Sequence, residues 1–247
     1  LIHELMDSNT ALERFAYVAS HDLQEPIRMI NNFGKILLTE YQNKLDAEGR
    51  EYLSMVTQSG ERMHDMVNDL LEYSRMSHES IKFHLFDGNQ VLESALENLK
   101  TLIEEQHATI TYDPLPELYG IPIQIMRLLQ NLLANAIKYQ PQGRLPRIHI
   151  TVEGDDADWR IHVQDNGIGI DSRFLEQIFE PFRRLHTWDK IKGSGLGLAI
   201  CRKIAENNNG RLTVISKVGE GSVFTLTIPK HLNVRTKNDY ATAGNNA

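Results

Sequence analysis

The chain has 247 residues, a net charge of −7 and an ordinary balance of 41% hydrophobic and 24% charged residues, which allows one large or two modest globular domains. Basic residues form no stripe and no apolar run approaches the ~20 residues of a membrane span, so neither nucleic acid nor a membrane is an expected partner of this segment. The lone cysteine, Cys201, allows no disulfide framework within the chain and predicts a cytoplasmic protein; the start without Met predicts a piece of a longer one.

The first 77 residues predict two long helices joined by a short loop, with Asp46 as the N-cap of the second helix. Because such a hairpin leaves an apolar stripe uncovered, we expect two copies to pair as a homodimeric four-helix bundle. The alternative is that the domain that follows in the chain covers the stripe of a single hairpin. The stripe recurs in heptads. On the first helix it comprises Ile2, Asn9, Ala16, Leu23, Ile30 and Leu37 and, three residues later in the register, Leu5, Leu12, Ala19, Pro26 and Phe33; on the second it comprises Leu53, Val56, Gly60, Met63, Val67, Leu70 and Ser74.

Residues 78–230 have a different rhythm, which predicts strands and helices in a two-layer α/β sandwich. The polar segment 76–80 is the expected hinge between these two domains. Beyond Pro229 the composition turns polar, and 231–247 are expected to form a disordered tail. The predicted strands are 81–85, 109–112, 117–119, 147–152, 159–164, 211–216 and 222–228; the predicted helices are 88–102, 122–139 and 196–207.

The predicted helix after Pro122 carries two amides and an ammonium on one face, because Asn131, Asn135 and Lys138 follow one another at i, i+4 and i+7. Such a face is either solvated or suited to a metal and a phosphate, since an Asn oxygen can ligate Mg²⁺. The chain has no Gly-x-x-x-x-Gly-Lys-Ser/Thr sequence and is therefore not a P-loop protein.

Two glycine-containing blocks follow. Asp165-Asn166-Gly167-Ile168-Gly169 comes after an apolar strand, where Asp-Asn-Gly alone is most often a turn. Gly193-Ser194-Gly195-Leu196-Gly197-Leu198 opens a helix, where it is either a flexible loop or a set of backbone N–H donors for phosphate. Between them lie Phe179-Glu180-Pro181-Phe182 and the basic stretch 183–192, which suits a mobile lid.

A histidine near the N-terminus completes the pattern. His21 lies at the outward f position of the heptads, where by itself it would be a surface residue. Its segment, Ser20-His21-Asp22-Leu23-Gln24-Glu25-Pro26, resembles the H box of the sensor histidine kinases. The later blocks resemble their N, G1, F and G2 boxes, in the same order, over roughly residues 5 to 230. The resemblance implies a GHKL-type (Bergerat) ATP-binding fold, autophosphorylation of His21 by ATP and transfer of the phosphoryl group to the receiver domain of a response regulator.

The resemblance also implies roles for single residues. Asn135 would ligate Mg²⁺, Lys138 would meet a terminal phosphate, and Asn131 and Tyr139 would line the same pocket. Asp165 would accept a hydrogen bond from the adenine amino group, with Gly167 and Gly169 allowing close approach. The phosphate-binding residues would be Gly193, Gly195, Leu196 and Gly197.

The acids after His21 have separate implications. Asp22 matches the family residue that activates the imidazole, although Glu25, one turn away, is better placed to reach it. Many relatives carry Thr or Asn where this chain has Glu25, so phosphatase activity toward the regulator is in doubt.

Two rival functions remain at this point. An ATPase resembling Hsp90 or gyrase would need a glutamate in place of Asn131, because an amide is a poor general base for water. A non-catalytic dimeric adaptor would not need the complete set formed by Asn135, Lys138, Asp165 and both glycine blocks.

Overall fold

The computed structural model describes residues 22–75, 83–183 and 194–230. His21, Gly193, most of the predicted lid and the predicted tail lie outside these ranges. The chain forms two compact units: a first unit of residues 1–81 and 170–204, and a second unit of residues 82–169 and 205–247.

The first unit contains a helical hairpin, as the heptads predict. Helix α1 covers residues 22–40, a 3-10 turn follows at Gln42–Lys44, and helix α2 covers Ala47–Arg75. The Asp46 carboxylate accepts a 2.7 Å hydrogen bond from the Gly49 backbone N–H, which confirms the predicted N-cap.

The predicted apolar seam divides into two faces in this hairpin. On α1 the inward positions are Ile27, Asn31 and Gly34, not the heptad residues. Leu23, Ile30, Phe33 and Leu37 are 40–57% exposed. On α2 the predicted Gly60 and Val67 are buried, whereas Val56 and Met63 are 51% and 43% exposed. The heptad residues of α2 are therefore divided between a face buried within the hairpin, at Gly60 and Val67, and an exposed face, at Val56 and Met63.

The remainder of the first unit is built around Phe179. The 3-10 turns Ser172–Phe174 and Gln177–Phe179 precede it, and the Phe179 ring is buried. Arg202, on helix α6 (Gly197–Asn207), lies with its guanidinium 4.1 Å from the centre of that ring and bonds Glu176 at 3.0 Å. A cation over an aromatic face stabilises this arrangement.

The second unit contains a five-stranded sheet and a two-stranded one. The strands are β1 His84–Asp87, β2 Thr109–Tyr112, β3 Glu117–Gly120, β4 Arg147–Gly154, β5 Asp158–Asp165, β6 Arg211–Lys217 and β7 Gly221–Pro229. The large sheet has the order β2-β4-β5-β7-β6, in which only β2 and β4 are parallel, and β1 pairs with β3.

Helices α3 (Gly88–Asn98), α4 (Lys100–Glu105) and α5 (Pro122–Lys138) complete the second unit. Asp87 caps α3 by accepting a bond from the Asn89 N–H, as predicted. The single predicted helix up to residue 102 is interrupted at Leu99, whose φ of −100° and ψ of 2° are not helical. No helix in the described residues is long and apolar enough to cross a membrane.

Helix α5 positions the candidate site because one of its faces is buried against the large sheet. It contacts β4 and β5, and its Leu128, Leu129, Leu132 and Leu133 are at most 2% exposed. Each such leucine contributes about 2 kcal/mol by leaving water. The buried apolar residues of β4 and β5 include Ile148, Ile150, Ile161 and Val163.

Candidate functional site

The carboxylate of Asp165 lies at the end of β5. Its Oδ1 accepts hydrogen bonds from the backbone N–H of Gly167, at 2.7 Å, and of Ser222, at 3.2 Å. No described residue donates to Oδ2, so this oxygen can accept from a ligand. Burial raises the pKa of the Asp165 carboxyl above its ordinary value, and the two N–H donors oppose that rise only in part.

The loop after Asp165 is joined to the end of α5. The Tyr139 carbonyl accepts a 3.0 Å hydrogen bond from the Ile168 N–H, and the Tyr139 N–H donates to the Asn135 carbonyl at 2.9 Å. A Cβ at Gly167 would lie 2.4 Å from the Tyr139 oxygen, so only glycine fits there. The loop that carries Asp165 is therefore packed directly against the C-terminal end of α5.

The same loop is held from its other side by the turn between β6 and β7. The Ile168 carbonyl accepts a 2.7 Å bond from the Gly219 N–H. Gly169 has a φ of +69°, and a Cβ there would lie 2.0 Å from the Lys217 carbonyl oxygen. Glycine is needed at this position for both reasons.

Asn166 anchors the loop to the segment before β4. Its Oδ1 accepts from the Arg147 N–H at 2.9 Å, and its Nδ2 donates to the Leu145 carbonyl at 3.0 Å. Arg144 donates to the carbonyls of Asn166, at 2.8 Å, and Gly219, at 3.1 Å. The Asp-Asn-Gly sequence is therefore more than a simple turn, because Asn166 also connects the loop to the segment before β4.

The polar face of α5 has the predicted composition. Asn131 and Asn135 are half-buried, and neither side-chain amide has a hydrogen-bond partner among the described residues. Lys138 is exposed in the last turn of the helix. Half-buried amides without protein partners suit oxygen or nitrogen groups of a ligand, and an amide oxygen suits Mg²⁺. The face therefore fits the metal and phosphate chemistry expected from the sequence.

The structure describes the second glycine block from Ser194 onward. This part of the block belongs to the first unit, which includes residues 170–204. Leu196 is fully buried, and its N–H donates to Ser194 Oγ at 3.1 Å. Gly195 has a φ of +80°, and Gly197 is the first residue of α6. The block thus opens a helix, as predicted.

The acids that follow His21 lie on the exposed surface of α1. Asp22 and Glu25 line an open groove on the hairpin together with Gln24, Arg28 and His64. The Nδ1 atom of His64 is buried and has no hydrogen-bond partner among the residues that the structure describes.

Sequence reasoning missed Ser222 and Arg144 as supports of the site. Ser222 contacts Asp165 across 57 residues of sequence, through a backbone N–H that no residue pattern marks. Arg144 lies in a polar loop whose composition suggests only solvent exposure. The Ser222 contact depends on the pairing of β5 with β7, and the Arg144 contacts reach residues 22 and 75 positions away in the sequence.

Two family models match the chain. Residues 11–79 match the His Kinase A (phospho-acceptor) domain, and residues 120–232 match the histidine kinase-, DNA gyrase B- and HSP90-like ATPases. Cyanobacterial phytochrome A from a Nostoc species is 45% identical over 229 residues, which are 93% of this chain and 30% of the phytochrome. The chain thus spans less than a third of that relative's length.

Solved structures of histidine kinases have the same fold. Full-length ShkA in complex with AMPPNP superimposes with a TM-score of 0.66 and 25% identity, over 87% of this chain and 45% of ShkA. Histidine kinase ThkA in complex with response regulator protein TrrA gives a TM-score of 0.63 and 24% identity, over 92% of this chain and 64% of ThkA. With a phospho-acceptor domain followed by an ATP-binding domain of the ATPase family, this chain belongs to the sensor histidine kinases.

Proposed function

We propose that this chain transfers the γ-phosphoryl group of ATP to His21 and then to an aspartate of a response regulator. Residues 1–77 would form the dimerisation and phospho-acceptor domain, and residues 78–230 the catalytic domain, followed by a tail. The observation that carries the proposal is the Asp165 carboxylate, which is desolvated, held by two N–H donors on Oδ1, and left with Oδ2 for a ligand.

Asp165 would select adenine. An ionised carboxylate only accepts hydrogen bonds, so Oδ2 suits the exocyclic amino group of adenine and not the carbonyl that guanine carries at the same place. The glycines at 167 and 169 keep side chains away from the loop, where Tyr139 and Lys217 already approach closely.

Asn131, Asn135 and Lys138 would hold the phosphate end of the nucleotide. Asn135 would ligate Mg²⁺ through its amide oxygen, and Lys138 would neutralise a terminal phosphate. The metal, when bound, neutralises charge on the phosphate oxygens. By their resemblance to the G2 box, Gly193, Gly195, Leu196 and Gly197 would supply backbone N–H donors to phosphate.

His21 would be the nucleophile. A neutral imidazole is available near pH 7; one ring nitrogen attacks the γ-phosphorus as the bond to the β,γ-bridging oxygen breaks and ADP leaves. The proton on the other ring nitrogen passes to a carboxylate, for which Asp22 and Glu25 are the candidates. Phosphoryl transfer needs alignment and charge neutralisation more than covalent help.

The hairpin would bind a second copy of the chain. Leu23, Ile30, Phe33 and Leu37 form a continuous apolar stripe on α1 that the rest of the hairpin leaves 40–57% exposed. Covering such a stripe by a second hairpin makes a four-helix bundle. The regulator would approach the same hairpin near His21; ThkA was solved with a response regulator, which supports a partner of that class.

Asn131 argues against direct hydrolysis of ATP. Its amide cannot accept a proton from water, so the site lacks the base that an ATPase would need at this position. The test is to incubate the purified chain with ATP labelled at the γ-phosphate. We expect a protein label that is lost in acid and kept in base, and no label in His21→Gln. Label of undiminished intensity in His21→Gln would place the acceptor elsewhere.

A further inference from the structure

One hydrogen bond links the glycine-rich segment to the hairpin within the first unit. Ser194 Oγ donates to Oδ2 of Asp69, which lies on α2, and the two residues are 125 positions apart. Both are half-buried. Ser194 Oγ also accepts the 3.1 Å bond from the Leu196 N–H, immediately before α6 begins. The hydroxyl therefore joins a carboxylate of the hairpin to the backbone that opens α6.

This bond conflicts with phosphate binding in two ways. A serine hydroxyl has one proton, so Ser194 cannot donate to a phosphate oxygen while it donates to Asp69. The carboxylate also brings a negative charge to the N-terminal end of an 11-residue helix, where the helix dipole would otherwise favour a phosphate. The Asp69 carboxylate and a bound phosphate are both negatively charged, so they would compete for the same hydrogen-bond donors at the start of α6.

We propose that Asp69 is an autoinhibitory residue, which holds Ser194 and so keeps the segment Ser194–Gly197 from binding the phosphates of a nucleotide. The inference rests on the proposed function of that segment. Binding of a nucleoside diphosphate or triphosphate then requires the Asp69–Ser194 bond to open. By linkage, any movement of α2 that opens the bond raises nucleotide affinity, and bound nucleotide favours the moved hairpin.

The test compares two ligands on the full chain by calorimetry: Mg-ADP, which has phosphates, and adenosine, which has none. Asp69→Asn keeps an oxygen that can accept from Ser194 but removes the charge. We expect about fivefold tighter binding of Mg-ADP, at the lower end of typical couplings between sites, and unchanged binding of adenosine. Asp65→Asn is the matched control, because it removes an exposed carboxylate one turn earlier on the same helix.

A double-mutant cycle separates the contact from a long-range effect of charge. In a Ser194→Ala background, Asp69→Asn should change Mg-ADP binding much less than it does in the original chain. An equal gain in both backgrounds, an equal gain in Asp65→Asn, or unchanged or weaker binding in Asp69→Asn would each overturn the inference. If the original chain binds neither ligand, the proposed function itself is wrong, and the inference falls with it.

Discussion

The carbonyl of Tyr139 accepts a 3.0 Å hydrogen bond from the N–H of Ile168, which joins the end of α5 to the loop that carries Asp165. Tyr139 ends the motif on α5 and Asp165 begins the next motif, 26 positions later in the sequence. Movement of the end of α5 away from this loop would break the bond, so the bond favours one relative position of the polar face of α5 and the carboxylate. A binding site whose parts are already held in place has less ordering cost left for binding.

Gly169→Ala should destabilise the chain because the new Cβ would meet the Lys217 carbonyl oxygen at 2.0 Å, in a backbone with a φ of +69°. Gly143→Ala is the matched control, since Gly143 has a φ of +81° but nothing within 4 Å. We expect the free energy of unfolding to fall by about 1 kcal/mol at 143 and by about 2 kcal/mol or more at 169. Urea unfolding measures both; equal losses would show that the close contact costs nothing.

Asp165→Asn should weaken Mg-ADP binding by about tenfold or more, because a hydrogen bond to a charged acceptor is lost. The variant should stay folded, since its side-chain carbonyl can still accept from Gly167 and Ser222. Calorimetry gives the affinity, and circular dichroism checks the fold. Unchanged affinity in Asp165→Asn would mean that the adenine site has been misplaced.

The raised pKa of Asp165 also predicts the pH dependence of stability. The folded state holds this proton more tightly than the unfolded state, whose ordinary value is 3.8. The contribution of the group to stability is therefore full below pH 3.8 and is lost as the pH rises through the higher folded pKa. Asp165→Asn should remove this pH dependence of the free energy of unfolding, measured by urea unfolding between pH 4 and pH 7.

Asp155→Asn is the contrast, because hydrogen bonds from the Asp158 and Ala157 N–H lower the pKa of Asp155 to about 2. The stabilisation that Asp155 contributes is therefore present above pH 3.8 and lost toward pH 2.

Phe33→Glu should convert the dimer of the full chain to a monomer. Phe33 is 57% exposed in the middle of the α1 stripe, and a charge there would be buried by a second copy without a partner. Asn32→Glu adds the same charge at the neighbouring exposed position, beside the stripe, and should leave the dimer intact. Sedimentation equilibrium gives the masses. A dimer that persists in Phe33→Glu would place the interface on another face.

Glu25→Thr should raise phosphatase activity toward the regulator while measurable autophosphorylation remains. Glu25 is exposed in the groove, where its charge would face a dianionic phosphoryl group; two like charges 4 Å apart cost on the order of 4 kcal/mol at an effective dielectric of 20. The assay is the loss of phosphate from a purified cognate phospho-regulator in the presence of ADP.

Glu51→Thr, at an exposed glutamate of α2 outside the groove, is the control for Glu25→Thr. If the unmodified chain dephosphorylates the regulator quickly and Glu25→Thr is slower, Glu25 itself positions the attacking water.

Local sequence patterns determined much of this protein. Helical spacing alone placed Asn131, Asn135 and Lys138 on one face of α5, and Pro122 marked its first turn. Asp46 and Asp87 were recognisable as caps because their side chains bond N–H groups two or three residues away. Features of this kind depend on neighbours in sequence, so they can be predicted without the fold.

Tertiary structure alone decided the rest. The Ser222 N–H reaches Asp165 only because β5 and β7 pair, and Gly169 is crowded only because the turn after Lys217 packs on it. Heptad spacing could not tell the face of α1 that meets α2, at Ile27, from the face left exposed, at Phe33. Both faces carry apolar side chains, and periodicity records which side chains avoid water without recording which surface covers them.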